Sequence, residues 1–273
     1  MSNRDGVFDV GIFSWFGYMM PLPERLKLIK EVGFDSVIIW WEDELGDKVI
    51  KKEDMPKMVE DFGLKFENIH APFCGCNDIW GKDKDAKKKF VENNIRWIED
   101  CKKYNIDTMV MHVTELCKIK KPNDSGLECV EKIVKAAEKN NIKLAIENTD
   151  SSFIVNYILS NIHSDNLGLC FDTSHFNICK SWFNEYTNLL KLYPNKLFAT
   201  HISDNDGDND RHWVPFDGII EWKEIKDTFP LRSFKESLCL EVVKGEQDKF
   251  KNPKEFLEKA YSRISKLNRY FSK

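Results

Sequence analysis

Short runs rich in β-branched and aromatic residues alternate with longer segments of helical periodicity along the whole chain. The strand-like runs are Phe8–Trp15, Asp35–Trp41, Lys65–Ala71, Thr108–Thr114, Lys143–Thr149, Leu167–Thr173, Leu197–Ser203 and Glu236–Val243. Between them, Leu22, Leu26, Ile29 and Val32 fall at the spacing of one helix face. Phe256, Ala260, Ile264, Leu267 and Phe271 repeat the pattern near the C-terminus, and Asn252-Pro253 marks the start of that helix. Four helix-to-strand connections share one chemistry: Val32-Gly33-Phe34-Asp35, Phe62-Gly63-Leu64-Lys65, Tyr104-Asn105-Ile106-Asp107 and Asn140-Asn141-Ile142-Lys143. Gly or Asn accepts the left-handed conformation that ends a helix, and the next apolar residue turns inward ahead of a strand.

Eight strands, each followed by a helix, in about 250 residues predict an α/β chain folded as a single (β/α)8 TIM barrel, here one domain over residues 1–273. The alternative, an open doubly wound sheet, normally carries a glycine fingerprint after its first strand. Ser14-Trp15-Phe16-Gly17 is not that fingerprint. Linkers, repeats and a second domain are not visible.

Composition narrows the class. With 42% hydrophobic, 12% aromatic and 32% charged residues, the chain is neither disordered nor of low complexity. Apolar runs fall well short of the roughly 20 residues that span a bilayer, so a membrane protein is not expected. The start MSNRDGVFDV lacks the apolar core of a secretory signal, from which a cytoplasmic location is expected. The net charge of −4 argues against a protein that tracks phosphate backbones. Eight cysteines, at 74, 76, 101, 117, 129, 170, 179 and 239, form no CxxC pair and are expected to be reduced structural thiols, with Cys170 and Cys239 in the core.

In a barrel of this kind, side chains that do chemistry stand at the carboxyl ends of the strands. Those positions carry His70, His112, Glu147, Asp172, His175, His201 and Glu241, and the loop after the seventh strand adds Asp204, Asp206, Asp208, Asp210 and His212. Only His163 among the six histidines lies elsewhere, in a helix-to-strand loop. Taken singly, each has a plain structural explanation, such as a helix cap for Asp172 in Asp-Thr-Ser-His. Together they sit in apolar sequence (LAIENT, LCFDTSH, FATHIS, LCLEVV), where a carboxylate is costly unless paired or bound to a metal. Carboxylates with imidazoles suit Zn²⁺, Mn²⁺, Mg²⁺ or Co²⁺. A divalent metal cofactor is therefore expected. A nucleophile elbow and a P-loop are both missing, and Cys74 and Cys76 are expected to line a pocket rather than attack a substrate.

These residues carry a resemblance. NIHAPF (68–73), MVMHVT (109–114), LAIENTD (144–150), LCFDTSHF (169–176), THISDNDG (200–207), DRHWVPFDG (210–218) and LCLEVV (238–243) resemble the xylose isomerase-like barrel superfamily over nearly the whole chain. That superfamily includes sugar isomerases and epimerases as well as endonuclease IV-type apurinic endonucleases. The first branch implies one divalent ion held by Glu147, Asp172, His201 and Glu241, with Glu147 and Glu241 as acid/base groups on opposite faces of the substrate. An ion on a carbonyl oxygen and its neighbouring hydroxyl favours an enediolate, and a carboxylate on each face can remove and return a proton. His175 is implied as a substrate contact. The endonuclease branch implies three zinc ions, with His70, His112 and Glu147 on one, Glu147, Asp172, His201 and Glu241 on the second, and His175, Asp210 and His212 on the third.

The rim loops favour the first branch. WEDELGD (41–47) and SDNDGDNDRH (203–212) hold one Arg and no Lys, whereas an abasic-site nuclease has to bring a polyanion to this rim. GKDKDAKKK (81–89) is the counter-evidence, read as a solvated helix face. Aromatics suited to sugar C–H surfaces crowd the rim: Trp15, Phe16, Trp40, Trp41, Phe73, Trp80, Phe176, Trp182 and Trp213. The favoured expectation is a metal-dependent sugar, sugar phosphate or polyol isomerase or epimerase. Its substrate contacts are His70, His112, His175, Arg211, Trp15 and Trp40. A zinc phosphodiesterase acting on abasic DNA is the alternative, followed by a lyase or dehydratase and a binding protein. The partner expected is a small sugar rather than nucleic acid; a homo-oligomer is left open.

Overall fold

The computed structural model describes residues 8–115, 118–149, 151–182, 187–245 and 252–272. Cys117 and Asp150 lie outside the described residues, as does the side chain of Trp182. Eight parallel strands alternate with helices: β1 (Val10–Phe13), α1 (Leu22–Val32), β2 (Ser36–Trp40), α2 (Met55–Asp61), β3 (Lys65–His70), α3 (Lys84–Lys103), β4 (Thr108–Met111), α4 (Asp124–Asn140), β5 (Lys143–Glu147), α5 (Ser152–Asn161), β6 (Leu167–Asp172), α6 (Thr173–Trp182), α7 (Leu189–Leu192), β7 (Leu197–His201), α8 (Trp222–Thr228), β8 (Leu238–Leu240) and α9 (Pro253–Phe271). The strands run in the order β7-β6-β5-β4-β3-β2-β1-β8. Past the end of β7, the Ile202 N–H donates to the Cys239 carbonyl (2.8 Å) and the Glu241 N–H to the Ile202 carbonyl (3.1 Å), which closes the ring. The expected barrel is therefore the fold.

All four connections marked by Gly or Asn are left-handed: φ is 113° at Gly33, 66° at Gly63, and 55° at both Asn105 and Asn141. The C-terminal helix is fastened to the start of the barrel by one side chain. Asn268 accepts the Phe8 N–H (3.1 Å) and donates back to the Phe8 carbonyl (2.6 Å). Most of the apolar core lies in the shell between strands and helices. The seven described cysteines form no disulfide, and all but Cys74 are buried.

The long connection from β7 to α8 is organised by a buried carboxylate. Asp204 accepts backbone N–H groups from Asn205 (2.9 Å), Phe216 (2.9 Å) and Ile220 (3.1 Å), and its own backbone pairs with Trp213. A side chain at Gly218 would meet the Asn205 carbonyl at 2.2 Å, which is why glycine stands there. Asp204→Ala is expected to destabilise the chain by about 3 kcal/mol, because three buried donors lose a charged acceptor. Equilibrium urea unfolding measures it, and an unchanged midpoint would contradict this account of the loop.

Candidate active site

Side chains along a strand alternate between its two faces, so residues two apart share one. On β4 to β7, Val110, Ala145, Cys170 and Ala199 form a small buried cluster. Two positions on, at the carboxyl ends, stand His112, Glu147, Asp172 and His201. Phe13, Ile38 and Cys239 form a matching cluster from β1, β2 and β8, and the positions two on are Trp15, Trp40 and Glu241. On β3 the same step leads from Asn68 to His70. The polar ring thus stands on a floor of mostly small or apolar side chains.

Glu147 is the centre of the ring, with 1% of its surface exposed. Its Oε2 lies 3.0 Å from His201 Nδ1, 3.2 Å from His112 Nε2 and 3.3 Å from His70 Nε2, and its Oε1 lies 3.1 Å from His175 Nδ1. Glu241 Oε2 approaches the same His201 nitrogen to 3.0 Å. Ligand atoms of Glu147, Asp172, His201 and Glu241 all lie within 4.8 Å of one another, as do those of His70, His112 and Glu147. A third group is joined through Asp210, whose Oδ2 is 3.2 Å from His175 Nε2 and 2.9 Å from His212 Nε2. Asp210 is steadied by the Ser174 hydroxyl, which donates to its Oδ1 (2.7 Å). The fold thus gathers every metal-competent residue named from the sequence except Asp204, Asp206 and Asp208.

Charge in the ring is balanced within it. Burial pushes the Glu147 carboxyl up, but the imidazoles of His201 and His112 outweigh it and hold it well below the usual range. Glu241 is likewise raised by burial yet brought down to about 2 by His201. Asp172 is pushed up to about 7, chiefly by burial. Burial depresses His175, but Asp172 and Asp210 carry it well above its ordinary value. Burial also depresses His212, which Asp210 raises to about 10.

The donor set fits a divalent cation. Both ring nitrogens of His201 and Oδ2 of Asp172 are buried without a hydrogen-bond partner among the described residues, and the close His201–carboxylate approaches lack hydrogen-bond geometry. Convergent lone pairs of this kind are what oxygen- and nitrogen-binding metals use. Supporting contacts fix the ligands. Asp172 Oδ1 accepts the His175 N–H (2.7 Å), and Asn148 bridges the Asp172 backbone at both N–H (2.8 Å) and carbonyl (2.9 Å). His70 Nδ1 lies 3.1 Å from the Ala71 carbonyl, which turns Nε2 toward the cluster. The helix-cap explanation accounts for Oδ1 of Asp172 and leaves Oδ2 over for another ligand.

Beside the ring opens a cavity of about 480 Å³. Trp15, Trp40, Phe73, His212 and Glu241 line it, and so do Arg25, Glu42, Asp43 and Glu44. Trp40 stacks on His70 (centroids 5.3 Å apart) and Phe73 on His112 (4.5 Å). Trp15 and Trp40 are thus where the sequence put them. Four other rim aromatics are packing groups: Trp41 is buried with its N–H on Asp100, Trp80 is buried against Gly126, and Phe16 and Phe176 belong to the core.

Several sequence expectations are corrected. Arg211 does not line the cavity: its Nε donates to Asp206 (2.7 Å) and its guanidinium lies over Trp213. The lysine run does form part of α3, but Lys87 is buried with Nζ on Ser125 (2.5 Å), leaving Lys88 and Lys89 on the solvated face. His163 is exposed, as expected. Arg25 and Glu44 were missed. The available signal was an arginine inside the Leu22/Leu26/Ile29 stripe of α1.

Residues 26–261 match the family described as the xylose isomerase-like TIM barrel. The chain belongs to this family. Among curated relatives, inosose isomerase of Bacillus licheniformis is 25% identical over 207 residues, covering 70% of this chain and 73% of that one. An uncharacterized protein of Sinorhizobium fredii is 29% identical over 120 residues, 44% of this chain and only 37% of its own length. Two solved structures, an L-ribulose 3-epimerase (16% identity) and the IOLI protein with a zinc atom (19% identity), both superpose with a TM-score of 0.76 over 96% of this chain, covering 95% and 99% of their own. At these identities the structural likeness speaks to the fold.

Proposed function

We propose that this chain is a divalent-metal-dependent sugar isomerase or epimerase, moving a proton beside a carbonyl with Glu147 and Glu241 as acid and base. The observation that carries this is the pair of ionised carboxylates converging on one His201 nitrogen at the edge of an aromatic-walled cavity. Held below the usual carboxylate range, both are ionised at neutral pH, the form in which a carboxylate can accept a proton. Glu147, Asp172, His201 and Glu241 would hold a divalent ion, which would supply a Lewis acid for a carbonyl oxygen. Glu241, which lines the cavity, takes or returns one proton, and Glu147, buried among the imidazoles, handles the other. His175 and His212, tied together through Asp210, frame the site, and Trp15, Trp40 and Phe73 cover the C–H surface of a sugar and exclude water. The relative named inosose isomerase and the neighbour named L-ribulose 3-epimerase support the substrate class. The zinc atom in the IOLI structure supports the metal.

One observation favours a second reading, abasic-DNA phosphodiester cleavage: all nine residues of the three-zinc pattern are gathered at the rim. Against it stand Glu42, Asp43 and Glu44 on the cavity wall, where a polyanion would have to pass. The two separate by experiment. The metal-loaded chain is expected to interconvert at least one member of a panel of ketoses, aldoses and inososes and to leave an abasic duplex intact. Lys88→Ala/Lys89→Ala is expected to leave sugar turnover unchanged. Cleaved abasic DNA with no sugar converted would transfer the assignment to the phosphodiesterase.

A further inference from the structure

Arg25 is the arginine on the cavity wall, 4% exposed, with its guanidinium ion-paired to Glu44 and lying over the Trp15 ring. Glu44 is itself fixed from a second side, because its Oε1 accepts the Leu22 N–H (3.0 Å). The neighbouring lysines are taken too: Lys51 by Asp43 (2.7 Å) and Lys52 by Asp100 (3.0 Å). Among the described lining residues, Glu42, Asp43, Glu44 and Glu241 face only Arg25 and His212 as cationic groups, and His212 is already paired with Asp210.

We propose that the cavity selects uncharged sugars or polyols over their phosphate esters, and that Glu44 sets this selectivity by occupying the Arg25 guanidinium. The inference rests on the sugar isomerase or epimerase reading. A phosphate dianion entering here meets carboxylates and no unpaired cation; capturing Arg25 would strand the Glu44 carboxylate beside it, like charge against like. A hydroxyl oxygen meets neither penalty.

The test compares the metal-loaded enzyme on free ketoses and on the same ketoses carrying a terminal phosphate. The free sugar is expected to have a kcat/KM about 100-fold higher or more, given the strength of like-charge exclusion at close quarters. Glu44→Gln, which frees the guanidinium, is expected to lower KM for the phosphate ester by about tenfold or more, as a newly available charge-assisted contact would. Because Glu44 also anchors Leu22, Glu42→Lys serves as a second variant that adds a cation without disturbing that anchor, and it is expected to shift KM the same way. Wild-type preference for the phosphate ester, or an unchanged ester KM in Glu42→Lys, would overturn the exclusion by charge, and an unchanged ester KM in folded Glu44→Gln would overturn the role of Glu44. Failure to convert either form of any ketose would bring down the sugar reading itself, a distinct result.

Discussion

Glu241→Gln is expected to lower kcat by about a thousandfold or more, within the range for a lost general acid/base. Gln keeps the size and hydrogen-bonding reach of Glu but cannot take a proton from carbon. Glu241 sits 16% exposed at the cavity edge, so its replacement should leave thermal unfolding nearly unchanged. Glu147→Gln is expected to cost as much in kcat and to weaken metal binding as well, since Glu147 Oε2 lies within 3.3 Å of three imidazoles. Steady-state kinetics beside circular dichroism melts distinguish loss of chemistry from loss of fold. A double variant that turns over like the parent would sink the two-carboxylate mechanism.

Removing the metal is the second large effect. Dialysis against a chelator is expected to abolish turnover, and re-addition of Mn²⁺, Co²⁺, Zn²⁺ or Mg²⁺ should restore it for at least one of these ions. Ion binding to the folded state should raise stability as well: at about 100 times its Kd, a ligand contributes about 2.7 kcal/mol. In a domain of this size that is a rise in Tm of roughly 5–10 °C. Melting curves report it independently of activity. Elemental analysis of chain purified without chelator should find about one ion per chain. About three zinc ions would show His70, His112, His175, Asp210 and His212 recruited as ligands, and would move the account towards phosphodiester chemistry.

The barrel was legible because two periodicities are written plainly in the chain. The eight β-branched runs became the eight strands, trimmed by a residue or more at their ends, and Gly33, Gly63, Asn105 and Asn141 stopped helices in the left-handed conformation as their chemistry requires. The site ring was legible for the same reason: once strands are placed, the residue at each carboxyl end is placed too. What escaped the sequence depends on contacts between distant segments. Asp204, Asp206 and Asp210 look alike in one acidic loop, yet the first gathers buried backbone N–H groups, the second holds Arg211, and only the third reaches the imidazoles. Arg25 meets Glu44 across a helix, a strand and a loop, a pairing that no local pattern encodes. Lys87 turned inward because Ser125, on another helix, offers it a partner.

Proton transfer at carbon is the central claim, and turnover of a ketose panel in D2O by the metal-loaded chain tests it most directly. The account predicts interconversion with deuterium appearing at the carbon beside the carbonyl, lost in Glu147→Gln and Glu241→Gln. Full metal occupancy with no deuterium entering any ketose, aldose or inosose would contradict it.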